Sequence, residues 1–297
     1  MSKIGFVGAG VMGAPMIGHL LDAGHEVAVH VRRREAAAAL FERGARYAQT
    51  PAEAARGAEF VCTNVTGTAD VESVLFGENG AAGATEAGAI VIDFSTISAV
   101  ATRGFARRLA QQRIDMLDCP VSGGAAGARQ ATLSISVGGD AAVLERARPL
   151  LERLGRTITH VGGHGAGQVV KACNQIVQVI NIEGIAEAML FASANGVDPA
   201  RMLPALQAGM AGSRMLDLMG PKMAERDFAA GIEARLHQKD FGIVVEATQA
   251  LGLSLPAAAI VSQQLNALVG NGWGRDDTSS LLRVLEGANR GRAANEE

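Results

Sequence analysis

Lys171, Asn174, Gln175 and Gln178 recur at i, i+3, i+4 and i+7, so on a helix they share one face. They lie in residues 165–195, GAGQVVKACNQIVQVINIEGIAEAMLFASAN, which read as one helix of about thirty residues, far longer than the globular average. Apolar residues occur on nearly every side of it, which predicts a helix buried in the middle of the protein. None of the four polar residues is acidic. A lysine on a buried helix, beside amides and without a local carboxylate, needs a partner from elsewhere. Two readings stand at this point. One is an anionic ligand. The other is a lysine that snorkels to solvent or pairs with a remote acid.

A second constellation lies at the start of the chain. Residues 4–7 (IGFV) read as a short buried strand, and Gly8, Gly10 and Gly13 follow as GxGxxG, with Val11 and Met12 between the last two. A helical pattern then runs to Ala23-Gly24. In that context Gly8 permits the tight turn, Gly10 lets backbone approach a pyrophosphate, and Gly13 lets helix and strand pack closely. The free N–H groups of the helix N-terminus complete a phosphate site. The alternative is a glycine-rich turn that binds nothing. A second strand, 26–31, ends without the acidic residue that would accept from an adenosine ribose; Val31, Arg32, Arg33 and Arg34 stand there instead. Guanidinium groups match phosphate in geometry and charge. The expectation is therefore NADP, held first by Arg32 and then by Arg33, with NAD left open and a solvated basic turn as the plain alternative.

These residues need elements to hold them. Strand-like runs at 60–63, 90–93, 116–117 and 133–137 alternate with helical patterns, which predicts an α/β, Rossmann-type, doubly wound, mostly parallel sheet. Ligands bind such sheets beyond the carboxyl ends of the strands. Asn64, Val65 and Thr66 end one strand and Thr96 follows another, so all four are cofactor candidates, Thr96 on the nicotinamide side. Capping of the next helix is a second use for Ser95 and Thr96. Ser122, Gly123 and Gly124 follow a strand end and Pro120. They present a hydroxyl and successive N–H groups, which is either a nest for a carboxylate or an ordinary turn.

Beyond the glycine-rich joint at 162–167, helical patterns at 199–208, 213–225, 237–250, 256–270 and 278–288 predict an all-α C-terminal domain joined through the long helix. The expected division is 1–163 and 164–297. The second domain is short for an independent core, so the long helix should be covered partly by the first domain or by another subunit, and a homodimer or homotetramer is expected. Lys239-Asp240 reads as a solvated charge pair, and His164 as a structural or exposed linker residue.

Composition narrows the class. With a formal net charge of −3 and no basic stripe, nothing resembles a nucleic-acid footprint. Cys62, Cys119 and Cys173 have no paired or metal-like spacing, so buried reduced thiols and no metal are expected. No basic-then-apolar leader and no uninterrupted apolar run of membrane length are present, which points to a cytoplasmic protein without a membrane partner. The polar tail from Glu286 is expected to fray.

Taken together, GFVGAGVMG (5–13), DFST (93–96), DCPVSGG (118–124), GAGQVVKACNQ (165–175) and Lys239-Asp240 resemble the β-hydroxyacid dehydrogenase family over nearly the whole chain. The resemblance implies that Lys171 is catalytic and that Ser122, Gly123 and Gly124 hold the substrate carboxylate. Asn174 and Gln175 would position substrate, with Gln175 standing where the family usually has a second Asn. Thr96 and Lys239 would contact the cofactor, with Asp240 close by. The implied reaction is reversible hydride transfer between a nicotinamide cofactor and a short 3-hydroxy or aldehyde acid. Lys171 would give a proton to the forming alkoxide or take one from the hydroxyl, roles that benefit from a pKa lowered by burial and by the cofactor's charge. IDMLDCPVSGG (114–124), KACNQIVQVINIEGIAEAM (171–189) and GMAGSRMLD (209–217) are most similar to the branch that reduces tartronate semialdehyde, and next to the branch acting on 3-hydroxyisobutyrate. Imine reductases usually carry another residue at the lysine position, and a non-catalytic dinucleotide-binding module is expected to lose it.

Overall fold

The first apolar run forms β1 (Lys3–Val7), and among the described residues eight further strands follow: β2 (Glu26–His30), β3 (Arg46–Ala48), β4 (Phe60–Thr63), β5 (Ile90–Asp93), β6 (Asp115–Asp118), β7 (Val121–Ser122), β8 (Leu133–Gly138) and β9 (Gly155–Gly162). They pair in the order β3-β2-β1-β4-β5-β6-β8-β7, with β9 on β8. The β3-to-β6 part is wholly parallel and has the strand order of a dinucleotide-binding sheet. β8 runs antiparallel to β6 and β7 and parallel to β9. These observations come from a computed structural model that describes residues 1–289.

The chain divides into two compact units, Met1–Lys171 and Ala172–Glu297. In the first, neighbouring residues on each central strand face opposite sides, as strand geometry requires. Cys62, Ile92 and Leu117 join a core with Met16, Ile17 and Leu20 of the Gly13–Asp22 helix. Val61, Val91 and Met116 join another with Val71, Leu75, Phe105 and Leu109. Strands buried on both faces read as continuous apolar runs, which is why they are legible in the sequence. Each such side chain contributes about 1.5–3 kcal/mol on full burial.

The long helix spans Ala166–Ala194. It is long and apolar enough to cross a membrane by length and composition. Here Val179, Ile182, Ala186 and Met189 pack instead into the helical core of the second unit, with Met219, Phe241, Val261, Leu265 and Leu281. The expectation of burial all round is corrected: Val169, Val170, Val177 and Phe191 are exposed, and so is Cys173, whereas Cys62 and Cys119 are buried. The other α-helices described in the second unit are Pro199–Ala208, Arg214–Glu225, Ala234–Leu251, Pro256–Leu268 and Leu281–Asn289. Asp198 caps the first of these through Ala200 N at 2.9 Å, with Pro199 at its first position. Among its described residues this unit holds no strand. Residues 286–289 of the polar tail belong to the last helix, where Glu286 pairs with Arg226 at 2.7 Å, and 290–297 lie outside the described residues.

Candidate active site

The glycine loop has three differently built positions. Gly8 adopts φ +102°, and a Cβ there would stand 2.2 Å from Asn64 O. A Cβ on Gly13 would stand 2.1 Å from Gly8 O, so both positions exclude a side chain. A Cβ built on Gly10 would meet nothing within 4 Å. That is the open backbone a pyrophosphate approaches. The loop is tied to β2 by Gly8 N donating to His30 O at 3.0 Å. Met12 offers no side-chain cap to the helix that follows, and the first turn has no acid, so its N–H groups and dipole favour an anion. Val11 is exposed, while Met12 packs on the core. At the end of β2, the Arg34 guanidinium stacks over Phe41 and Tyr47 at 5.9 and 5.1 Å. Arg32 and Arg33 are exposed. These residues fit a dinucleotide.

The neighbouring ends of β4 and β5 are joined by a buried carboxylate. Asp93 Oδ1 accepts from Thr63 Oγ1 at 2.8 Å and from Ser95 N at 3.0 Å, and Ser95 Oγ accepts from Val65 N at 3.0 Å. This fixes Asn64-Val65-Thr66 beside the segment carrying Thr96. Burial pushes the Asp93 carboxyl up to about 6, against the hydrogen bonds that favour its charged form. A raised carboxyl stabilises the fold below about pH 4 and loses that contribution as pH rises through about 6. Relative to Asp93→Asn, the wild-type protein should therefore lose about 2 kcal/mol of stability between pH 4 and pH 6. Urea titrations of both proteins across that range check this, and parallel curves would refute it.

Thr96 is framed by a side chain that lies inside the 165–175 motif but to which the sequence reading gives no role. Gln168 Oε1 accepts from Ile97 N at 3.0 Å, and Gln168 Nε2 donates to Ser95 O at 2.8 Å. One carboxamide thus holds the backbone on both sides of Thr96. Gln168 stands on the long helix one turn before Lys171. The helix start is held in turn by Asp118 at the end of β6, whose Oδ1 accepts from Gly165 N at 2.7 Å and Oδ2 from Gln168 N at 3.1 Å. A carboxylate at a helix N-terminus satisfies orphan donors and complements the dipole. Its burial raises the Asp118 carboxyl, and these backbone bonds oppose the shift. Gly167 allows the approach, since a Cβ there would lie 2.6 Å from Asp118 O and 2.7 Å from Ser136 O. The first turns of the helix therefore belong to the first unit, which extends past the glycine joint to Lys171.

From Asp118 the chain passes through Pro120 to β7 and the loop of Ser122, Gly123 and Gly124. Ser122 pairs with Ser134 of β8. Gly123 and Gly124 adopt φ +128° and +59°, conformations that suit glycine. Lys171 is half-buried. His164 Nε2 lies 3.1 Å from Met116 O, a structural contact.

The remaining candidates lie in the second unit. Asn174 and Gln175 follow Lys171 by one turn of the same helix, and Asn174 Nδ2 donates to Gln175 Oε1 at 2.8 Å. Gln175 Nε2 donates to Asp240 Oδ2 at 2.6 Å. Asp240 is buried, which corrects the solvated reading of Lys239-Asp240. Lys239 Nζ stands 2.8 Å from Asp240 Oδ1 as an ion pair without hydrogen-bond alignment.

Residues 3–162 match the NAD binding domain of 6-phosphogluconate dehydrogenase, and residues 165–285 match the family described as NAD-binding of NADP-dependent 3-hydroxyisobutyrate dehydrogenase. A 2-hydroxy-3-oxopropionate reductase of Escherichia coli is 44% identical over 96% of this chain and 97% of its own. The chain belongs to the β-hydroxyacid dehydrogenase family. It is an NAD(P)-dependent oxidoreductase with a Rossmann-type first unit. Its fold is also that of Mycobacterium tuberculosis 3-hydroxyisobutyrate dehydrogenase, solved with L-serine, with TM-score 0.89, 30% identity and coverage of 96% and 99% of the two chains. The structure of Psf3 in complex with NADP+ and 2-OPP gives TM-score 0.85 at 28% identity, covering 95% of this chain and 99% of that one.

Proposed function

We propose that this dehydrogenase reduces tartronate semialdehyde (2-hydroxy-3-oxopropanoate) to glycerate with NADPH, and that Lys171 is its general acid and base. The observation that carries the mechanism is the anchoring of Lys171. Its helix is capped by Asp118, just ahead of the Ser122–Gly124 loop, and clamped by Gln168 to both sides of Thr96. The similarity to the E. coli reductase supports the substrate. Gly8, Gly10, Val11, Met12, Gly13, Arg32, Arg33, Asn64, Val65, Thr66, Thr96, Lys239 and Asp240 would hold the cofactor. Bound nicotinamide supplies the hydride. Ser122, Gly123 and Gly124 receive the substrate carboxylate. The Lys171 ammonium hydrogen-bonds the aldehyde oxygen and gives up a proton as the alkoxide forms, and Asn174 and Gln175 position the reacting carbon. In the reverse direction the neutral amine takes the hydroxyl proton. A 3-hydroxyisobutyrate dehydrogenase is the second reading, favoured by the M. tuberculosis structure. The protein acts in the cytoplasm as a homodimer or homotetramer, and the exposed Val177 and Phe191 on the long helix support self-association.

The test follows absorbance at 340 nm as NADPH or NADH is oxidised with tartronate, methylmalonate and succinic semialdehydes. Tartronate semialdehyde should turn over fastest. Oxidation of 3-hydroxyisobutyrate without reduction of tartronate semialdehyde would replace this substrate with the second reading. Arg32→Ser should raise KM for NADPH about tenfold or more, the value of a charge-assisted phosphate contact, and leave KM for NADH unchanged. Equal effects on both cofactors would remove Arg32 from phosphate recognition.

A further inference from the structure

Gln178 belongs to the lysine face of the long helix, yet the mechanism above gives it no task. It is one link in a continuous polar chain inside the second unit. Asn174 Nδ2 donates to Gln178 Oε1 at 3.2 Å as well as to Gln175 Oε1. Gln178 Nε2 lies 3.4 Å from His237 Nε2, and His237 Nδ1 lies 2.8 Å from Thr278 Oγ1. His237 and Thr278 are buried.

The polarity of this chain follows from one anion. The Asp240 carboxylate accepts only, so the Gln175 atom facing it at 2.6 Å is Nε2, and Gln175 Oε1 is turned to Asn174. The Asn174 atom facing that oxygen must then be its NH2 group. Its second N–H meets Gln178 Oε1, which turns Gln178 Nε2 to His237. Nε2 of that ring therefore accepts, its proton sits on Nδ1, and Thr278 Oγ1 receives it. At the far end Thr278 Oγ1 is within 3.5 Å of Ile232 O, its acceptor. Both donors of Asn174 are thereby committed, and Oδ1 is the atom it offers on the face shared with Lys171. An ammonium carries only donors, so an acceptor is the group that can orient it, whereas a flipped amide would repel it.

We infer that Gln178 and His237 are positioning residues that, with Gln175 and Asp240, lock the Asn174 carboxamide with its oxygen presented to the Lys171 face. This rests on the proposed role of Lys171. Gln178→Met keeps the length of the side chain and removes the acceptor. The folded variant should lose about tenfold in kcat with KM for NADPH unchanged, and the loss should vanish in an Asn174→Ala background, since the effect passes through Asn174. Gln178→Glu retains the acceptor and should keep kcat within about threefold of wild type. A second readout needs no turnover. With 15N-labelled asparagine, both Asn174 side-chain protons should exchange slowly in the wild-type protein, and in Gln178→Met one should become fast.

Wild-type kcat in folded Gln178→Met, or an equal loss in the Asn174→Ala background, would overturn the inference. So would fast exchange of both Asn174 protons in the wild-type protein. Absence of wild-type turnover with every acid tested would instead defeat the proposed reaction, while the exchange rates would still decide whether the lock exists. If Gln178→Met does not fold, Gln178→Glu and the wild-type exchange rates carry the decision.

Discussion

Lys171→Ala should lower kcat by at least about 10², the lower end of what a positioned general acid contributes. Cofactor affinity should stay within about twofold, because the hydrogen bonds that shape the dinucleotide loop do not involve this residue: Gly8 N reaches His30 O, and Ala14 N reaches Gly10 O. The folded variant is the one compared, and Lys171 is only half-buried. The variant thus separates chemistry from folding and from cofactor binding. Removing a proton donor from the transition state lowers kcat and kcat/KM together, and the limb of the pH profile due to the amine should disappear. A small primary amine added to the assay should restore part of the rate, because it replaces the missing group. Measurement of kcat, KM and the NADPH dissociation constant decides the matter. Wild-type turnover in the folded variant would remove Lys171 from the mechanism.

The sequence reveals those elements whose surroundings impose a period or a special backbone. β1, β4 and β5 are apolar runs because both sheet faces are covered, β8 alternates buried Leu133, Ile135 and Val137 with Ser134 and Ser136, and Gly8 and Gly13 are marked because any side chain there meets backbone. Three strands carried no such mark. β9 is largely exposed along its length, β3 has three residues and β7 two, and their pairing depends on distant partners. The outer side of the long helix misled because valines and Phe191 there look like core residues, yet apolar type alone does not bury a side chain. Arg32 could be proposed as a cofactor contact from the strand end it follows. Gln168, Asp118 and Asp93 could not, because each acts through a bond to a distant or neighbouring backbone group that no local spacing encodes. A signal was present: Gly165 and Gly167 at the start of a long helix announce a close approach of backbone, and a nearby strand end carries an acid. What remains hidden in one sequence is which strand end meets which helix start.

That close approach gives the second large expectation. Gly167→Ala should cost about 3 kcal/mol or more and should also reduce kcat by over about tenfold. A Cβ at this position would stand 2.6 Å from Asp118 O, 2.7 Å from Ser136 O and 2.8 Å from Asp118 Oδ2. Two of these atoms are backbone, so neither can swing away as a side chain does, and the helix start must move. Any such shift stretches the bonds from Gly165 N and Gln168 N to Asp118, now 2.7 and 3.1 Å, and loosens the Gln168 clamp around Thr96. A buried carboxylate that loses its donors retains its desolvation cost, which is why the penalty exceeds ordinary overpacking. The same helix supplies the control. A Cβ added at Gly184 would have nothing within 4 Å, so Gly184→Ala should be neutral or stabilise by up to about 1 kcal/mol through helix propensity. Urea unfolding and steady-state kinetics of the two variants compare one residue type, one helix and one substitution, and differ only in what the methyl group meets. If both behave alike, the helix start is not pressed against β6 and β8, and the anchoring of Lys171 must lie elsewhere. If only Gly167→Ala loses stability and turnover together, the packing of that turn is what sets the position of the lysine.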